Sequence, residues 1–112
     1  MRGVDAAPPI ERLMRWYRSQ CDGDWEHSYG VSVETLDNPG WLLKIDLIDT
    51  DLQHVPFESV RIGNFDEEAY PSPDLSCWMY CKIENGKFEG AGGPSDLESL
   101  IGVFVDWAES IS

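Results

Sequence analysis

Basic residues are scarce in this sequence of 112 residues, which has 8 lysines and arginines against 21 aspartates and glutamates and a formal net charge of −13. Nucleic acids and anionic membrane surfaces are themselves negative, so a chain of this charge is repelled by both and attracts basic proteins. The acidic residues are spread through aromatic-rich segments, which argues against a disordered acidic tail. The composition therefore points to a basic protein partner and away from nucleic-acid and membrane binding.

Long apolar runs are also missing. No stretch approaches the roughly 20 apolar residues of a membrane span, and residues 1–16 contain no apolar run of secretory length. The cysteines number three, and an odd count is typical of a reducing compartment. We expect a cytoplasmic protein with free thiols, folded as one domain over residues 1–112, of which residues 1–8 are flexible.

Apolar residues at helical spacing predict one helix near the start of the chain and another at its end. Pro8 and Pro9 suit the first turn of the first helix, and Gly23 suits a left-handed residue after its end. Ser95 and Glu98 form a capping box before the second helix. The first apolar stripe is Ile10, Leu13, Met14, Tyr17 and Cys21, opposite Glu11, Arg12, Arg15 and Arg18. The second stripe is Leu97, Leu100, Ile101, Phe104 and Ala108.

Alternating apolar and polar residues predict five strands between these helices. The predicted strands are 29–37, 41–48, 57–65, 77–84 and 87–91, with a charged loop at 66–76. Val60 and Ile62 should face inward, "NPGW" has the Pro and Gly of a type II turn, and "NG" signals a hairpin between the last two strands. Because the junctions between strands are short, we expect an α+β fold, an antiparallel sheet of about five strands with both helices packed on one face.

The cysteines and histidines do not form a recognisable metal motif. Cys77 and Cys81 lie on one face of a predicted strand, about 13 Å apart by strand rise, which is too far for one zinc ion. Cys21, His27 and His54 lack the spacing of zinc ligands. We expect neither a metal nor another cofactor.

The acidic segment after the first helix resembles the opening of a calcium loop, since Asp22, Asp24 and Glu26 alternate. The resemblance stops there. His27 stands where such a loop needs glycine, and Val33 where it needs a bidentate glutamate. A surface turn is the better interpretation.

A catalytic interpretation of the same segment has His27 as a general base beside Glu26, with Ser28 next to it. Adjacent residues of an extended segment point to opposite sides, and the sequence contains no nucleophile-elbow motif. We therefore predict no catalytic residues. A small acidic enzyme or ligand-binding domain that uses His27, Glu26 and the nearby tryptophans stays open as the alternative.

Acidic residues are concentrated in three loop segments, and loops on a rigid scaffold are where small domains carry binding function. These segments are our candidate binding sites for a basic partner. The candidate residues are Asp22, Asp24, Asp49, Asp51, Asp66, Glu67 and Glu68.

The stretch "WY…QCDGDWEHSYGVSVETLDNPGW…KIDL" resembles the immunity protein 53 family of bacterial polymorphic toxin systems. Its motifs are a WE pair, Trp25 and Glu26, followed by a PGW triplet, Pro39, Gly40 and Trp41. The resemblance implies an α+β domain that neutralises a cognate toxin and protects the producing cell. It also implies that these motif residues are mainly structural, with Glu26 hydrogen-bonded to a nearby backbone or indole N–H.

Combined with the charge, the resemblance favours an immunity protein that blocks a basic toxin, such as a nuclease whose substrate surface attracts an acidic mimic. A pocket that converges on His27 would instead favour the enzyme or ligand-binding alternative.

Overall fold

A computed structural model describes residues 7–37, 39–62 and 78–110 of the chain. Its elements in chain order are α1 (Pro9–Gln20), α2 (Trp25–Ser28), β1 (Val31–Leu36), β2 (Gly40–Asp46), β3 (Val60–Ile62), β4 (Met79–Glu84), β5 (Lys87–Gly92) and α3 (Leu97–Ser110). Several predictions lie outside the described residues in whole or in part: the flexible start of the chain, the "NPGW" turn at Asn38, the end of the predicted strand 57–65, the 66–76 loop and the position of Cys77.

The five strands form one antiparallel sheet in the order β1-β2-β5-β4-β3. The β4–β5 hairpin turns at Asn85 and Gly86, whose φ angles of 57° and 76° are both positive. This is the backbone that an Asn-Gly hairpin turn requires, because only small or locally hydrogen-bonding residues adopt it readily. The predicted α+β class and the antiparallel sheet with a helix at each end are confirmed.

The core lies between one face of the sheet and α3, which crosses β2, β5 and β4. Phe88 of β5 and Phe104 of α3 are fully buried and stack edge to face, with ring centroids 5.2 Å apart. Gly90 permits this close approach, since a Cβ there would lie 3.2 Å from Leu100 Cδ2. Burial raises the pKa of the neighbouring Cys81 thiol to about 11, so this cysteine is an inert part of the core.

The first helix is less buried than its apolar stripe predicts. α1 packs against α3 through Leu13 and Trp16, and the Trp16 and Phe104 rings meet edge to face at 4.9 Å. Three of the other stripe residues, Ile10, Met14 and Tyr17, are 49%, 54% and 37% exposed. The helix covers only the margin of the sheet, so most of its predicted buried stripe stays at the surface.

Several predicted boundaries are also wrong. α3 begins at Leu97, so Asp96 and not Ser95 precedes it, and the Asp96 carboxylate accepts hydrogen bonds from the backbone N–H groups of Gly93 and Trp78. The first strand begins at Val31 because the residues before it form the short helix α2. Ile62 lies on the inner side in register with Met79, but it is 42% exposed because β3 is at the sheet edge.

Candidate functional site

Two carboxylates hold the turn between α1 and α2. Asp22 Oδ1 accepts hydrogen bonds from the backbone N–H groups of Asp24 and Trp25, both at 3.0 Å. The Glu26 carboxylate accepts those of Asp22 and Gly23, at 3.0 and 2.9 Å. The hydrogen bond expected for Glu26 is therefore present. Gly23 has a φ of 96°, a conformation that glycine adopts without strain.

Backbone hydrogen bonds lower the pKa of both carboxyl groups. The backbone N–H of Trp25, and then that of Asp24, lowers the pKa of Asp22 below its ordinary value. The pKa of Glu26 is lowered chiefly by its own backbone N–H, with smaller contributions from those of Asp22 and Gly23. Hydrogen bonds to the ionised form favour that form, and they also fix the direction of each carboxylate.

Trp25 attaches this turn to the loop that follows β2. Its side chain is only 4% exposed, and its indole Nε1 donates a hydrogen bond to the Ile48 backbone carbonyl at 2.9 Å. Its ring lies about 6 Å from the rings of Trp16, Tyr17 and Tyr29. One buried indole therefore joins two loop segments that are separated by more than twenty residues in the chain.

As a result, two of the three predicted acidic segments meet. Asp22, Asp24 and Asp49 line one surface cleft of about 390 Å³, which we call the acidic cleft. Its other lining residues are Trp25, Ser28 and Tyr29. Among the described residues, the cleft is therefore lined by three carboxylates, two aromatic rings and two hydroxyls, without a lysine or an arginine.

Asp51, the other predicted binding residue that the structure describes, does not line this cleft. Asp51 faces a separate cavity of about 270 Å³ beside α1, where the side-chain amide of Gln20 donates a hydrogen bond to it at 3.4 Å. Asp66, Glu67 and Glu68 lie outside the described residues, so their placement stays a prediction.

The PGW triplet lies at the opposite end of β2 from Trp25. A Cβ on Gly40 would lie 2.3 Å from the Gly92 carbonyl oxygen, so the pairing of β2 with β5 at this point requires glycine. The Trp41 indole Nε1 donates a hydrogen bond to the Pro94 carbonyl at 2.9 Å. The two motifs therefore hold opposite ends of β2 in place.

The alternative enzyme or ligand-binding site would use His27, Glu26 and the nearby tryptophans. His27 is exposed on α2 and does not line the acidic cleft.

Among residues 7–37, 39–62 and 78–110, no group of three or more His, Cys, Asp or Glu side chains could hold a metal ion. Within the same ranges, the helices are too short or too polar to cross a membrane.

The sequence interpretation missed an apolar groove beside the acidic cleft. It has a volume of about 450 Å³ and is lined by Leu13, Met14, Tyr17, Tyr29, Gly30 and Val31. Tyr29 lines both, so the groove and the acidic cleft are adjacent. The available signal was the apolar stripe of α1, which we interpreted entirely as core.

A small α+β domain that presents an open apolar groove beside an acidic cleft is suited to binding another protein. The comparison with family models identifies the kind of binding protein. The chain belongs to the immunity protein 53 family, whose model matches residues 10–109, and it is therefore a toxin-neutralising immunity protein. No curated protein and no solved structure matches the chain.

Proposed function

We propose that this immunity protein neutralises its cognate toxin in the cytoplasm by binding a basic surface of the toxin with the acidic cleft, without catalysis. The observation that supports the proposal is the convergence of Asp22, Asp24 and Asp49 on one cleft in a chain of net charge −13. Opposite charge on the two partners speeds their encounter and fixes the orientation in which they meet.

Among the residues that the structure describes, no lysine or arginine lines the acidic cleft, which favours a negative field there. All three lysines lie on the sheet strands β2, β4 and β5. Lys82 pairs with Glu84, and Lys87 Nζ lies 3.9 Å from Asp46 Oδ1. Arg12 is engaged by Asp106 and Glu109.

A nuclease is the toxin class that fits this field best. A nuclease binds phosphates through a basic surface, and a cluster of carboxylates presents a similar pattern of negative charge. Asp22 is held in a fixed direction by two backbone N–H groups, as such a mimic requires. On this proposal the toxin is the variable C-terminal domain of a polymorphic toxin encoded beside the gene for this chain.

The test begins by co-expressing the chain with each toxin domain encoded nearby and scoring rescue of growth. Association with the purified toxin domain that growth rescue identifies is then followed by stopped-flow fluorescence across a salt series. The test variant is Asp24→Asn/Asp49→Asn. It leaves Asp22, whose carboxylate holds the turn, unchanged. Asparagine readily adopts the positive φ at residue 49. The matched control is Glu58→Gln/Glu98→Gln, which removes the same charge from exposed positions that do not line the cleft.

The cleft variant should associate roughly tenfold more slowly at low salt, and the difference should shrink as salt screens the wild-type advantage. The association rate of the control variant at low salt should fall much less. Neutralising Asp51, and separately Asp66, Glu67 and Glu68, tests the remaining predicted residues. Equal rates for cleft and control variants, or association independent of salt, would contradict the proposal. Loss of rescue in His27→Ala with toxin binding intact would support the enzyme alternative.

A further inference from the structure

The outer edge of β1 is open among the described residues, because β2 is the strand paired with it and the sheet ends there. The Asp46 backbone N–H donates a hydrogen bond to the Gly30 carbonyl at 3.0 Å. Bonded and non-bonded pairs alternate along an antiparallel ladder, so Ser32 and Glu34 also bond β2. The backbone N–H and C=O groups of Val31, Val33 and Thr35 consequently point away from the sheet.

The side chains of these same residues lie on the inner side of the sheet. Val31 is in register with Ile45 and Val33 with Leu43, and both partners are fully buried inner residues. Val33 is nevertheless 44% exposed. Edge strands are usually protected by lysine, proline or a bulge, whereas β1 reads "VSVETL" and has neither lysine nor proline.

α1 supplies a second apolar wall opposite this edge. Met14 and Tyr17 line the apolar groove together with Val31, and Ile10 continues the same helix face. More than a third of each of the three α1 side chains is exposed. An added strand on β1 would therefore bring every second side chain over this groove, since side chains alternate between the two faces of a strand.

We propose that the toxin docks through an extended segment that pairs with the open edge of β1 and inserts alternate apolar side chains into the apolar groove. This docking mode rests on the proposed function. The toxin segment becomes a sixth strand of the sheet, and its backbone hydrogen bonds provide affinity while the groove selects apolar side chains.

Charge decides between a toxin segment and a second copy of this chain. Pairing of two β1 edges would bring together two chains that each carry −13, and the central Glu34 residues would lie close to each other. A basic segment instead places positive side chains next to Glu34 and extends past Tyr29 toward the acidic cleft. The occupant is therefore a segment in which apolar and basic residues alternate.

Hydrogen exchange of the free protein and of its complex with the purified toxin domain tests the backbone pairing. The amides of Val31, Val33 and Thr35 should exchange rapidly in the free protein and become protected by at least about tenfold in the complex. Ser32 and Glu34 are internal controls, because their amides bond β2 and should be protected in both states.

Two variants test the same surface by affinity. Val33→Pro removes an amide that points outward, so the fold should be retained while toxin affinity falls by about tenfold. Met14→Gln should weaken binding through the groove. Ile62→Gln is its matched control, since Ile62 is similarly exposed on the other edge strand and should bind toxin as the wild type does.

The outcomes separate this docking mode from the proposed function. Unchanged affinity in both variants, with Asp24→Asn/Asp49→Asn still slowing association, would overturn β1 docking and leave the proposed function standing. Failure of the wild type to bind any toxin domain would overturn both. If the Val33 amide exchanged slowly in the free protein, another part of the chain or a second copy would already occupy the β1 edge, and the docking mode would be wrong. A dimer in sedimentation velocity that Val33→Pro dissociates would identify the second copy.

Discussion

α1 and α3 lie on the same face of the sheet but are held there by different interactions. α3 buries Leu100, Ile101, Phe104 and Val105, whereas Leu13 is the buried residue of α1. α1 is attached by the ring of Trp16, by ion pairs from Arg12 and by the indole of Trp25 beyond its end. Apolar periodicity thus marks the apolar face of a helix, but it does not show whether another element covers that face.

The sharpest contrast between the helices should appear on truncating one side chain from each. Phe104 is fully buried among the rings of Trp16, Phe88 and Trp107, so Phe104→Ala should lower the free energy of unfolding by about 3–5 kcal/mol. Met14→Ala should change it by less than about 0.5 kcal/mol, as for other exposed positions. Urea midpoints measure both, and a large loss for Met14→Ala would mean that the groove is closed in solution.

The second prediction concerns the attachment of α1 at its C-terminal end. Trp25→Ala should lower the free energy of unfolding by about 3–4 kcal/mol, and Trp25→Phe by less because it keeps much of the ring packing. The phenylalanine variant isolates the hydrogen bond to Ile48, whose loss should cost about 1 kcal/mol. Thermal melts of both variants provide the measurement. Near-native stability of Trp25→Ala would contradict the role of this indole in joining the two acidic segments.

A smaller effect is expected from the ion pairs that connect the two helices. Arg12 donates to Glu109 Oε2 at 3.0 Å and Oε1 at 2.8 Å, and to Asp106 at 2.7 Å. Arg12→Met keeps the aliphatic packing and should cost about 1 kcal/mol, since both acidic partners are exposed to solvent. The loss should shrink in high salt. A loss independent of salt would indicate that Arg12 acts through packing.

The smallest effect is the pH dependence that arises from the turn after α1. The pKa of Asp22 is lowered on folding from an ordinary value of 3.8, so its charge stabilises the fold above that pH. The stabilisation is lost as the pH falls below about 4 and through the lowered pKa of the folded state. Asp22→Asn retains an acceptor oxygen but no charge, so its urea midpoint should differ from the wild type at neutral pH and converge with it in acid. A difference that persists at about pH 2 would assign the effect to geometry.

Local signals predicted most of the sheet correctly. The Asn85–Gly86 turn and the alternation in β2, β4 and β5 depend on residues that are close in sequence, so pattern and structure agree there. The short helix α2 was missed because four residues give too little periodicity to detect, and the caps that hold it are ordinary turn residues. The start of α3 was misplaced because Asp96 makes its contacts with the distant residue Trp78.

The candidate site was predicted in its residues but not in its assembly. The acidic character of the loops is a property of composition, and their binding role remains a prediction. Asp24 and Asp49 line the same cleft because the Trp25 indole donates a hydrogen bond to the Ile48 carbonyl and so joins the two loops. The apolar groove depends on how far α1 extends over the sheet margin, a quantity that has no signature in local spacing.

The sequence by itself determined the net charge, the type and approximate extent of the main strands and helices, and the motifs that mark the family, because each of these depends on residue identity and short-range spacing. Only the tertiary structure decided the strand order, the open edge at β1 and the meeting of the acidic cleft with the apolar groove at Tyr29. These features arise from long-range packing, in which α3 occupies the centre of the sheet and leaves α1 at its margin. An apolar residue is buried only where another element covers it, so the same periodicity builds core in α3 and an exposed surface in α1.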